Sequence, residues 1–146
     1  MEQKVETLET LQKLAEKLVS RLKPTTTATL ITLSGELGAG KTTFSQMVGQ
    51  ALHVTENMVS PTFVLEKVYA LTDAKGFTKL IHIDAYRLKS GDELTALGFS
   101  ELVQDPQNII LLEWPERAAD ALPAATITIT LAVHEDGTRT YNEEYA

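Results

Sequence analysis

Residues Gly35-Glu36-Leu37-Gly38-Ala39-Gly40-Lys41-Thr42 match the pattern G-x-x-x-x-G-K-[ST] at every fixed position. Each residue type in that pattern answers a physical need. Glycines let the backbone curl so that successive N–H groups point inward and form a nest for anionic oxygens. A helix that starts at the lysine adds its positive end to the nest. Lys41 supplies a compact cation, and Thr42 a hydroxyl beside it that can ligate a divalent ion. The pattern demands a strand before it and a helix after it. Residues 26–33 (TTATLITL) are rich in β-branched side chains and predict that strand. Residues 41–52 (KTTFSQMVGQAL) predict the helix. A glycine-rich turn matching by accident would have no reason to carry both flanks. Gly35, Leu37, Gly38, Ala39, Gly40, Lys41, Thr42 and Thr43 are therefore the expected phosphate cradle.

The rest of the chain builds outward from this unit. Val5, Leu8, Leu11, Leu14, Ala15, Leu18 and Val19 recur at helical spacing among charged residues, which predicts an amphipathic helix over 7–22, ahead of Pro24. Strands are expected over 62–70 and 79–84, with a turn at 73–76 between them. A short helix is expected over 92–103. Residues 108–113 (NIILLE) form a nearly continuous apolar run, as in a central strand covered on both faces. Strands over 125–133 and 138–144 flank Glu135-Asp136-Gly137, a hairpin signal. Helix–strand alternation of this kind predicts an α/β three-layer sandwich with a mixed central sheet and an antiparallel C-terminal hairpin, in one domain over 1–146.

Charge and composition narrow the partners. Thirteen Lys and Arg against twenty Asp and Glu leave a net charge of −7. Such a chain repels a nucleic-acid backbone at long range, so strong binding to nucleic acid alone is not expected. The absence of cysteine removes disulfides, thiolate metal sites and thiol nucleophiles. Residues 1–17 mix both charge signs, unlike a signal peptide, and apolar runs are no longer than a strand. A cytoplasmic protein without membrane contact is the expectation.

Two acids end predicted strands. Asp84 closes KLIHID, and Glu113 closes NIILLE just before Trp114-Pro115, where the chain must turn away. Ligands of α/β sheets bind at the C-terminal ends of strands, and a phosphate loop needs a carboxylate there for magnesium. Asp84 and Glu113 are the candidates, with Thr42, for the metal site. His82 lies two residues before Asp84 and so points to the same face. It has no assigned role, and Trp114 is expected to cap the core.

Four segments now stand in one order: GELGAGKTTF (35–44), SPTF (60–63), HIDAYRL (82–88) and LLEWPER (111–117), with DELTALGFSEL (92–102) between the last two. Together they resemble the TsaE family, also called YjeE, of bacterial tRNA-modification ATPases. The resemblance covers nearly the whole chain. It implies ATP and Mg²⁺ as cofactors and slow hydrolysis. It also implies TsaB and TsaD as partners, in making threonylcarbamoyladenosine beside the anticodon, with tRNA engaged through that complex. Carried over by motif, Lys41 and Thr42 handle phosphate and Mg²⁺, and Glu113 is the magnesium-linked glutamate. Asp84 is the acid of H-x-D-x-Y-R-L, and Thr62 lies near the γ-phosphate in a switch-like loop. Thr10 is expected to approach the adenine, and the hairpin at Gly137, the least family-like part of the chain, is expected to wall the base pocket.

Two other readings stay open at this stage. A small-molecule kinase usually carries an arginine-rich lid, and this chain has Arg21, Arg87, Arg117 and Arg139 alone. A nucleotide-gated scaffold would bind without hydrolysis. No Asn-Lys-x-Asp tetrapeptide exists to read guanine, which favours ATP over GTP.

Overall fold

The computed structural model describes residues 2–59, 61 and 65–146, with the side chain of Asp73 left aside. The expectations placed on Ser60, Thr62 and Phe63 lie outside these residues. Seven strands are described: β1 (Glu2–Val5), β2 (Thr29–Ser34), β3 (Glu66–Ala74), β4 (Phe77–Asp84), β5 (Asn108–Glu113), β6 (Ile127–Val133) and β7 (Arg139–Tyr145). The helices are α1 (Leu8–Arg21), α2 (Lys41–Ala51), α3 (Gly91–Thr95) and α4 (Phe99–Gln104), with 3-10 turns at Pro115–Arg117 and Ala119–Ala121.

All seven strands join one mixed sheet in the order β1-β7-β6-β2-β5-β4-β3. Strands β6, β2, β5 and β4 run parallel at its centre, and antiparallel pairs close both ends. The parallel centre explains the burial of β5, where every residue from Asn108 to Glu113 is buried. Alternation sorts the side chains into two cores. Ile31, Leu33, Ile109 and Leu111 meet Leu14 and Leu18 of α1 and Phe44 and Val48 of α2. Leu30, Ile81, Ile83, Ile110 and Leu112 meet Leu94 of α3, Phe99 of α4 and Ala118 on the other face. Each fully buried side chain of this size contributes about 1.5–3 kcal/mol. The expected three-layer α/β sandwich is therefore the observed one.

Local chemistry sets the element ends. Thr7 caps α1, its side chain accepting from the Thr10 backbone N–H at 3.1 Å. The predicted helix over 92–103 is two helices, because Gly98 takes φ 82° between them. The turn expected at 73–76 is tighter: Lys75 (φ 58°) and Gly76 (φ 95°) alone join β3 to β4. Two positive φ angles match the twist of the flanking strands. Strand β1 was not expected. It lies at the edge against β7, with Glu2 opposite Asn142.

Candidate functional site

The phosphate-loop pattern lies between β2 and α2, as its flanks predict. Gly35 passes so close to β6 that a Cβ there would strike the Leu131 carbonyl oxygen. Gly40 caps α2 at φ 104°, a conformation open to glycine. No acidic residue stands in the first turn of α2, so its positive end is not offset from within the helix.

Lys41 opens α2 and is 5% exposed. Its Nζ donates to the carbonyl oxygens of Gly35 and Glu36, the latter at 2.9 Å. It also lies 4.0 Å from the centre of the Trp114 ring, a cation–π distance. Burial pushes the Lys41 ammonium below the usual lysine range, while Glu113, Glu116 and Asp84 pull it back up. The result is a dehydrated cation aimed along the loop.

The two acids arrive from neighbouring strands. Asp84 and Glu113 are register partners at the ends of β4 and β5, and parallel neighbours lie about 4.8 Å apart. Both are buried, at 5% and 2% exposed. The Asp84 Oδ1 accepts from the Tyr86 backbone N–H at 3.0 Å. Thr42 donates its hydroxyl to Glu113 Oε1 at 3.2 Å. Glu113 Oε2 receives the Ser45 hydroxyl at 3.2 Å and the His82 Nε2 at 2.6 Å. Trp114 follows in a left-handed conformation at φ 62° and turns the chain away, as its place before Pro115 suggested. Its ring meets Tyr86 at 4.9 Å, and Arg117 covers the other ring at 5.3 Å.

A cleft of about 370 Å³ joins these groups: Leu37, Gly38, Gly40, Lys41, Thr42 and Thr43 on one wall, Asp84, Tyr86, Glu113 and Trp114 on the other. A second hollow of about 380 Å³ shares Gly38, Gly40 and Thr43 with it and runs to Val5, Glu6, Thr7, Leu8, Leu11, Leu131, Arg139 and Thr140. Ala39 lines only this second hollow. Gly35, Thr10 and Gly137 line neither. Thr10 turns its hydroxyl to Thr7 at 3.1 Å, and Gly137 borders a third hollow, with Lys4 and Asp136, that adjoins the second at Val5, Glu6 and Arg139. The hairpin still reaches the loop, through Arg139, whose Nη1 donates to Gly38 O at 3.1 Å. The two hollows adjoin at Gly38, Gly40 and Thr43, so an elongated ligand can lay its anionic end over the loop and its other end in the second hollow.

Among the described residues, no group of three or more His, Asp or Glu side chains could hold a metal by itself. Mg²⁺ commonly needs less, one or two carboxylates plus phosphate oxygens. The pair Thr42 and Glu113, with Asp84 beside it, fits that donor set.

The family described as "Threonylcarbamoyl adenosine biosynthesis protein TsaE" matches residues 5–141. The chain belongs to the TsaE family. A TsaE of Treponema pallidum, named as a tRNA threonylcarbamoyladenosine biosynthesis protein, is 39% identical over 110 residues, 75% of this chain and 77% of that protein. A TsaE of Rickettsia felis is 37% identical over 129 residues, 88% of this chain and 70% of that one. The crystal structure of Bacillus subtilis YdiB overlays with a TM-score of 0.75 at 28% identity, covering 97% of this chain and 82% of that chain.

Among the residues that reach the site without having been singled out for it are Tyr86 and Trp114 in the cleft wall, and Ser45, His82 and Arg139 around it. His82 shared the parity of Asp84 and could have been drawn in by it. Ser45 stands one turn after Lys41 on the same helix face. Arg139 carries no sequence signal, because it reaches Gly38 across 101 residues. Among the described residues, no helix is long and apolar enough to cross a membrane.

Proposed function

We propose that this chain is a Mg²⁺-dependent ATPase that acts in tRNA threonylcarbamoyladenosine biosynthesis with TsaB and TsaD, turning over slowly when alone. One observation carries the reading: the buried Lys41, Asp84 and Glu113 converge on a single cleft over a glycine-rich loop. Opposite charges dehydrated around an anion nest suit the transfer of a phosphoryl group.

Lys41 and the loop amides hold the β and γ phosphates. Thr42 and Glu113 hold Mg²⁺, with Asp84 alongside. The ion supplies charge neutralisation on the phosphate oxygens when bound. Asp84 orients the water that attacks the γ phosphorus, and ADP leaves from the opposite side. The base enters the second hollow between residues 5–8 and Arg139, and without a guanine-reading motif that base is adenine. The TsaB–TsaD pair completes the site, which accounts for slow turnover alone. With a net charge of −7, tRNA is held chiefly by the partners.

ATP hydrolysis by the chain alone, and with the TsaB–TsaD pair and tRNA, tests the reading. Strong stimulation is expected. Hydrolysis indifferent to all three additions would overturn it.

A further inference from the structure

Glu113 is gripped on one oxygen and offered on the other. Oε1 meets the hydroxyl of Thr42 at 3.2 Å, and both residues line the cleft. Oε2 points inward, to Ser45 at 3.2 Å and His82 at 2.6 Å. Ser45 has one proton, and the same hydroxyl also reaches the Lys41 carbonyl at the shorter distance of 2.9 Å. A carbonyl and a carboxylate can only accept. That one proton is given to the nearer Lys41 carbonyl or shared between the two acceptors, so Ser45 is the weaker partner of Oε2. His82 has no such competition: it is 0% exposed, and its Nδ1 finds no partner among the described residues. The tautomer with its proton on Nε2 commits that proton to Glu113.

We infer that His82 is a positioning residue, whose Nε2–H locks Glu113 Oε2 and thereby presents Oε1 toward Thr42 and the cleft. Sheet geometry makes this possible. His82 and Asp84 share one face of β4, and Glu113 stands on the same face of the adjacent β5. The contact itself is independent of any ligand; its use in holding Mg²⁺ rests on the proposed function. Removing partners that orient a metal-binding side chain typically costs 10–100-fold in metal affinity.

Two measurements on the full chain separate the contact from its use. The first is thermal unfolding of His82→Leu, Glu113→Met and the double variant. His82→Leu is expected to lower the melting midpoint when Glu113 is present. With Glu113→Met the loss should vanish or reverse, because the donor then has nothing to hold. Additive losses would overturn the contact. The second is the half-saturating Mg²⁺ for ATP binding by calorimetry, with ATP in EDTA as the metal-free reference. A Gln amide can donate from near the Nε2 position, whereas an Asn amide mimics Nδ1. His82→Leu and His82→Asn should raise half-saturation about tenfold or more, while His82→Gln stays within about twofold of wild type. Metal-free ATP affinity should be the same in all three. An unchanged magnesium requirement in His82→Leu, or equal shifts for Asn and Gln, would overturn the positioning role. A wild type with no magnesium requirement would overturn the proposed function instead, with the melting cycle still deciding the contact.

Discussion

The ammonium of Lys41 lies 4.0 Å from the centre of the Trp114 ring, the one tryptophan in the chain. The ring is held there firmly. Trp114 has φ 62°, its backbone N–H donates to Leu33 O at 3.1 Å, and Tyr86 packs on the ring at 4.9 Å. A phosphate group that draws Lys41 from the carbonyls of Gly35 and Glu36 must change the field at the indole. Titration with ATP and Mg²⁺ should therefore shift tryptophan emission in the wild type. Constant emission through saturation, with saturation confirmed by calorimetry, would contradict this placement of the phosphates.

Glu113 bears the buried negative charge nearest Thr42. Glu113→Gln keeps the volume and leaves His82 an oxygen to bond, but removes that charge. Half-saturating Mg²⁺ should rise by about tenfold or more, with ATP binding in EDTA undiminished. An unaltered magnesium titration would take Glu113 out of the metal site.

Arg139 ties the last hairpin to the loop by donating to Gly38 O at 3.1 Å. The contact pre-organises the nest and lines the second hollow. For Arg139→Ala, ATP affinity should weaken roughly fivefold, about 1 kcal/mol. Stability should change by less than about 0.5 kcal/mol, as for most surface substitutions. Wild-type affinity in this variant would show that the loop holds its shape without the hairpin.

Tyr141 gives the fold a pH limit. Its ring is fully buried and packs on Phe44 at 5.4 Å, and its hydroxyl donates to Glu143 Oε1 at 2.6 Å. Burial first, and then Glu143, push the phenol above its ordinary range. The unfolded chain loses this proton near pH 10 while the native chain keeps it. The contribution is therefore complete below about pH 10 and declines above it, by up to about 1.4 kcal/mol per pH unit. Tyr69 and Tyr145 are displaced the same way, both chiefly by burial. Melting midpoints should fall above about pH 10, and more gently in Tyr141→Phe. Identical alkaline slopes would show that this proton is not linked to folding.

Much of this arrangement was legible in the residues because its signals are local. The apolar run of β5 begins and ends where the strand does, at Asn108 and Glu113. Thr7 marked the start of α1, and the glycines marked the loop. Strand β1 gave no such signal: its four residues alternate between exposed and half-buried at a sheet edge, and β7 alone defines them. The break in the helix over 92–103 turns on one glycine, Gly98, whose conformation depends on how α3 and α4 dock. In the site, Lys41 was readable from its motif, and Asp84 and Glu113 from their places at the ends of predicted strands. The second hollow was not, since residues 5–8, Leu131 and Arg139 meet there only through the strand order β1-β7-β6. Thr10 and Gly137, expected around the base, lie just outside it.

The central claim is that the loop from Gly35 to Thr42 holds ATP through Lys41. Calorimetric titration of ATP with Mg²⁺ into the wild type and Lys41→Ala tests it most directly, with circular dichroism confirming that both are folded. Saturable binding is expected in the wild type, weakened in the variant by on the order of 100-fold, the loss of about 2.7 kcal/mol of charge-assisted contact. Equal affinity in the two proteins would contradict the account.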